Sequence, residues 1–185
     1  MNLIQLFKNN QAAKREFRIV SEAREATIYL YDIIGEDWYG GVAAKDFVPQ
    51  LAALDVDTIH LRINSPGGDV FDARAMAQAI KSHPAKVIAH IDGQAVSAAT
   101  YVAVAADEVE IADGGFFMIH NAWTIQMGNA KDFRDQADLL DKVDASISAD
   151  YERKTGKTTE EILALMAATT WMTCLLYTSD AADDM

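Results

Sequence analysis

The sequence predicts an α/β protein with a largely parallel sheet, βαβ crossovers and one long protruding helix. Three observations carry that expectation. From Ala26 short apolar runs alternate with amphipathic runs of helical period. The intervening runs are long enough for right-handed crossovers. Beyond the last apolar run, the stretch from Ala130 to Lys154 keeps three- and four-residue apolar steps.

ATIYLYDII, from Ala26, reads as a strand, and AAKDFVPQLAAL as a helix interrupted by Pro49. TIHLRIN is a strand, and DVFDARAMAQAIKS a helix with Asp69 placed to cap it. KVIAHID is a strand, SAATYVAVAA a helix, EVEIA a strand and GFFMIHN another. After the loop NAWTIQMGN comes the long helix, whose apolar stripe is Phe133, Ala137, Leu140, Val143 and Ile147. Its acidic residues Asp132, Asp135, Asp138, Asp141 and Asp144 read as a solvated face, since residues three apart drift around a helix and no glycine-bearing calcium loop is present. Such a helix can serve as a subunit contact. TGKTTEEILALMA reads as a second helix, capped by Thr158 or Thr159 with Glu161 in its first turn.

These readings divide the chain into an arm over 1–25, one domain over 26–173 and an atypical tail over 174–185. The tail, CLLYTSDAADDM, has no clear period and ends in acidic residues; a truncated or foreign end is expected, a disordered natural tail being the other reading. With 185 residues, half of them hydrophobic, the chain supports one core, and it has no unbroken apolar run of bilayer length. LIQLF is too short for a secretory signal and no cleavage site follows, so a cytoplasmic location and no membrane association are expected. The single cysteine, Cys174, requires neither an oxidising compartment nor a metal. A net charge of −12 argues against a nucleic-acid partner. The locally basic stretch with Lys8, Lys14, Arg15 and Arg18 reads as a solvated arm.

Three motifs carry the chemistry. NSPGGD at 64–69 follows a strand and precedes a helix; adjacent glycines permit a tight turn with amides facing a bound oxygen, and alone this is a Gly-rich turn. It fits neither a dinucleotide nor a Walker fingerprint. In GQAVSAAT, Ser97 stands where strand gives way to helix, beside helix N–H groups and the small residues Gly93, Ala95, Ala98 and Ala99. Alone it is an N-cap, and the spacing is not the GxSxG of α/β-hydrolases. His120 ends the apolar run FFMIHN, where a buried backbone-bonded histidine is the bland account; His60, His83 and His90 receive no role, and the histidine spacing suggests no metal site. Together the motifs supply what acyl transfer to serine needs: a nucleophile, a base and oxyanion donors, all at strand ends that converge on one edge of a parallel sheet.

INSPGGDVFDA, GQAVSAA and FMIHNAW, in that order, resemble the ClpP-type serine peptidases, and the resemblance runs from about Ala26 to Thr173. The basic arm, the helix-rich stretch after His120 and the ending TTWMT resemble more narrowly the ClpP-related head maturation proteases of tailed phages and prophages. The resemblance implies a ClpP/crotonase-type fold with Ser97 as nucleophile, His120 as general base and the amides of Gly68 and Ala98 as the oxyanion hole. It implies a peptide substrate paired as an added strand beside Gly67, Gly68, Asp69, Val70 and Asn121. It further implies a homo-oligomeric ring through the long helix, capsid or scaffold proteins as substrates, and neither metal nor organic cofactor.

Relatives place an acidic residue two positions before the aromatic that is here Trp171, whereas this chain has Thr169 and no Asp or Glu from Leu163 to Leu176. The orienting group is then the Thr169 hydroxyl or a carboxylate from elsewhere, another subunit included. The competing functions are a housekeeping ClpP subunit working with an unfolding ATPase, a catalytically weak ring or scaffold component, and an acyl-CoA enzyme of the crotonase group. The last has no need of a Ser97/His120 pair.

Overall fold

The computed structural model describes residues 16–36 and 40–173. Lys8, Lys14, Arg15, Cys174 and the acidic tail lie outside the described residues. The elements in order are β1 (Glu16–Glu22), β2 (Glu25–Tyr31), α1 (Ala44–Ala52), β3 (Thr58–Ser65), α2 (Val70–Ser82), β4 (Lys86–Val96), α3 (Ala98–Val104), β5 (Glu108–Ile111), β6 (Phe116–Ile119), α4 (Ala130–Thr155), α5 (Thr159–Ala167) and β7 (Thr170–Thr173). They fall into two compact units, Met1–Met118 with Trp171–Met185, and Ile119–Thr170.

The first unit is built on a sheet of order β1-β2-β3-β4-β6-β7, with β5 also paired to β4. β2, β3 and β4 are parallel, and β5 and β6 pair with β4 in parallel at different points along it. The largely parallel α/β class expected from the alternation is therefore observed. Ala26, Ile28 and Leu30 lie in register with Ile59, Leu61 and Ile63, and these with Val87, Ala89 and Ile91. All nine are at most 2% exposed, so a one-residue slip would carry the whole apolar ladder to the opposite face. α3 packs on β3 and β4, and α2 packs on α1 and α3, burying Phe47, Leu51, Met76 and Val102.

The opposite face is polar and half-exposed. There the histidines that have no partner in the sequence acquire one: His60 Nδ1 lies 2.9 Å from His90 Nε2, and Glu110 lies 2.8 Å from His90 Nδ1. Beside them Arg62 and Tyr31 both donate to Asp92. His83 ends α2, its Nδ1 accepting from the Ala85 amide at 3.1 Å.

Two local readings are corrected. Pro49 does not interrupt α1, which continues to Ala52 because Phe47 and Leu51, 0% and 1% exposed, hold both sides of the proline in the core. Part of the expected arm is a strand: β1 pairs antiparallel with β2, and the Arg18 guanidinium lies 4.2 Å above the Tyr29 ring.

The second unit carries α4 and α5. Asn129 caps α4 in a reciprocal box with Asp132, Gly156 closes it with φ 73°, and Thr158 caps α5 in a second box with Glu161. The expected apolar stripe of α4 is covered only at its C-terminal end. Phe133 is 50% exposed and Ile147 only 7%.

Candidate active site

Ser97 stands between β4 and α3, as the pattern predicts. Its backbone adopts φ 57° and ψ −127°, a conformation that costs a non-glycine residue about 1–3 kcal/mol and persists only where the surroundings impose it. Those surroundings are visible. The Ser97 amide donates to the Met118 carbonyl at 2.9 Å, and the Ser97 carbonyl accepts from both the amide and the hydroxyl of buried Thr100. The Ser97 side chain makes no capping bond to α3, so the bland N-cap account does not describe this serine.

Of the glycine pair, Gly67 is wrapped against the same junction and Gly68 against Ile34. A Cβ on Gly67, at φ 89°, would come within 2.4 Å of the Val96 carbonyl oxygen and 2.8 Å of both the Ala98 nitrogen and the Ser97 Cβ. Only glycine lets the two segments approach so closely. Gly68, at φ 147°, would press a Cβ to 2.0 Å from the Ile34 carbonyl oxygen. Ile34 binds the loop by donating to the Gly67 carbonyl and accepting from the Asp69 amide, each at 2.9 Å. In such a parallel bridge the amide of the central residue, Gly68, points away from Ile34. Ala98 is the first residue of α3, whose amide has no acceptor within the helix. Ser65, fully buried, fixes the base of the loop by donating to the Asp32 carbonyl at 2.6 Å and accepting from the Gly67 amide at 3.2 Å.

Gly67, Gly68, Ala98 and Ser97 thus gather in the first unit. Asp69 and Val70 are there too, but the Asp69 carboxylate is engaged in capping α2 through the amides of Phe71 and Asp72, and Val70 is already helical. His120 and Asn121 belong to the second unit. His120 follows the last residue of β6 and is half-buried, whereas Asn121 is exposed. Burial holds the His120 imidazole below its ordinary value of 6.5, while Asp144 pulls it back upward.

Asp144 corrects the reading of the acidic face. Asp135, Asp138 and Asp141 are exposed, but Asp144 is only 7% exposed and its Oδ1 accepts from the Ala122 amide at 2.7 Å. Burial pushes its carboxyl above the ordinary 3.8, with the Ala122 bond and His120 acting against that rise. Sequence reasoning missed this residue although the signal was present. Twelve residues of helix turn Asp144 about 120° away from Asp132, enough to leave a solvated face. Thr169 is exposed beyond α5 with φ 52°. Among the described residues no group of three or more His, Cys, Asp or Glu is arranged to hold a metal, and no helix is long and apolar enough to cross a membrane.

The first unit is thus an α/β crossover domain with a serine at a strand-to-helix junction and a glycine loop in which the Gly67 and Asp69 amides are bonded to Ser65 and Ile34 and the Gly68 amide points away from Ile34. The chain belongs to the Clp protease family, whose model matches residues 11–181. Its fold is similar to that of a ClpP1 variant from Listeria monocytogenes, with a TM-score of 0.70 at 21% identity over 83% of this chain and 85% of that one. It is also 36% identical over 99 residues to the membrane protein NfeD1b of Bacillus subtilis (strain 168). That match takes in 53% of this chain and spans only 22% of the relative's length.

Proposed function

We propose that the protein is a serine endopeptidase in which Ser97 attacks the peptide carbonyl and His120 takes its proton and returns it to the leaving amine. The amides of Gly68 and Ala98 receive the oxyanion, and water then releases the acyl group from Ser97. The observation that carries this reading is the Ser97 junction, where an imposed backbone conformation, an uncapped helix start and a glycine approached to within van der Waals limits coincide. The depressed His120 value supports it, since a base must be neutral near pH 7 to accept a proton. An extended peptide would run beside Gly67, Gly68, Asp69, Val70 and Asn121 as an added strand.

The substrates in this reading are scaffold and capsid proteins of a phage head, cleaved without ATP in the host cytoplasm by a homo-oligomeric ring. The motif flanks support the phage assignment, and the exposed Phe133 and Leu139 of α4 support the ring. Thr169 favours one second reading, a ring component of weak catalytic power.

Fluorophosphonate labelling tests the core of the proposal: the chain is expected to label and Ser97→Ala to remain unlabelled. Persistent labelling of Ser97→Ala excludes Ser97 as nucleophile. Cleavage of a co-expressed capsid or scaffold protein supports the phage role, and copurification with an unfolding ATPase supports the housekeeping one.

A further inference from the structure

The family's usual acid position holds Thr169, yet the unit that carries His120 buries another carboxylate. A carboxylate that is 7% exposed is costly to keep unless charge or hydrogen bonds compensate it. On α4 the acids exposed to water, Asp135, Asp138 and Asp141, show where solvation alone would put an aspartate. Asp144 instead turns inward and holds the Ala122 amide at 2.7 Å, pinning the chain two residues beyond His120. A neutral acceptor would serve that pin equally well, so the hydrogen bond alone does not account for an acid. The remaining feature is charge. Asp144 and His120 interact electrostatically, each favouring the other's ionised form, and Asp141 is the further acid that bears on Asp144.

Resting on the peptidase reading above, we infer that Asp144 is the positioning residue of His120. From the inward side of α4 its carboxylate fixes the backbone that follows the histidine and supplies the negative charge that stabilises the imidazolium formed on proton transfer. The orienting acid is thereby relocated from the strand end near Trp171 to the long helix.

Two measurements test this. In the wild-type chain, NMR titration of the His120 ring and the Asp144 carboxyl is expected to show each signal reporting the other's step, as interacting sites do. Independent single-step titrations overturn the inference without any substitution. In the variants, Asp144→Asn keeps size and a carbonyl acceptor for Ala122 but removes the charge. The His120 midpoint is expected to move further down, the pH profile of fluorophosphonate labelling to move with it, and the labelling rate to fall about 10²- to 10⁴-fold, the scale for a lost triad acid. Asp144→Glu is expected to recover most of the rate. An unchanged His120 midpoint and rate in Asp144→Asn overturns the inference even where Ser97 remains reactive. Loss of labelling specificity for Ser97 or independence from His120, tested with His120→Ala, instead overturns the peptidase reading itself.

Discussion

The serine side and the histidine side of this chain are specified by different means. Around Ser97 the determinants are chiefly backbone atoms, joined by the Thr100 hydroxyl: the Met118 carbonyl, the Thr100 amide, and the approach of Gly67 to Val96 and Ala98. Around His120 they are side chains, chiefly the buried Asp144 reaching from α4 to the Ala122 amide. Backbone packing tolerates almost no substitution but hardly titrates. Side-chain placement tolerates substitution better and responds to pH. In the proposed peptidase the difference teaches that the nucleophile's hydroxyl would be set by steric confinement, whereas the base would be set by controlled burial of charge.

The sharpest way to break the comparison is Gly67→Ala. A Cβ would meet backbone atoms of Val96 and Ala98 at 2.4 and 2.8 Å, at a φ of 89° that alanine rarely adopts. Strain and overpacking together predict a loss of about 3 kcal/mol or more, read by chemical denaturation. A denaturation midpoint equal to wild type would show that the junction is not fixed by its backbone. Next in size is Met166→Ala on the second unit, where a fully buried side chain of α5 is truncated. About 2–3 kcal/mol should be lost there, from transfer and cavity terms. Because Met166 belongs to the second unit and Ser97 to the first, the variant sharpens the comparison: slower fluorophosphonate labelling at unchanged folded fraction would mean the units do not act through separate determinants.

A smaller effect belongs to Asp69. Its carboxylate accepts from the Phe71 and Asp72 amides at 2.8 and 2.9 Å, so Asp69→Ala should cost about 1 kcal/mol and Asp69→Asn a few tenths. Thermal melts of the two variants read the difference. Equal melting temperatures would mean that the loop ahead of α2 is held by Ile34 and Ser65 without help from the cap.

The sheet, its crossovers and the Ser97 junction were legible because each leaves a local trace: alternation for strands, small residues for close approach, Asp69 and Thr158 for helix starts. What was not legible depends on tertiary cover. β1 lacks a clear apolar alternation and is made a strand by its pairing with β2. Pro49 reads as a breaker until Phe47 and Leu51 are seen in the core. Asp144 reads as one of five equivalent acids until the helix is wound and only its neighbours prove exposed. A burial event of this kind is non-local, so residue spacing reports the angle of a side chain but not what covers it.

The smallest expected effect is the dependence of stability on pH, and its sign follows from the two shifts on the histidine side. His120 titrates below 6.5 in the folded chain, so on acidification the unfolded chain takes up that proton first. Its contribution is present above about pH 6.5 and is lost as the pH falls through the folded value. Asp144 has the opposite sign. With its folded value above 3.8, the folded chain takes up that proton first, and its contribution is present below 3.8 and lost as the pH rises through the folded value. The difference between wild type and His120→Gln in urea denaturation, followed from pH 7.5 downward, isolates the histidine term: the wild type should lose stability relative to the variant below pH 6.5. Parallel curves would place His120 in water in the folded chain, and the contrast between a confined serine and a buried base would lose its second half.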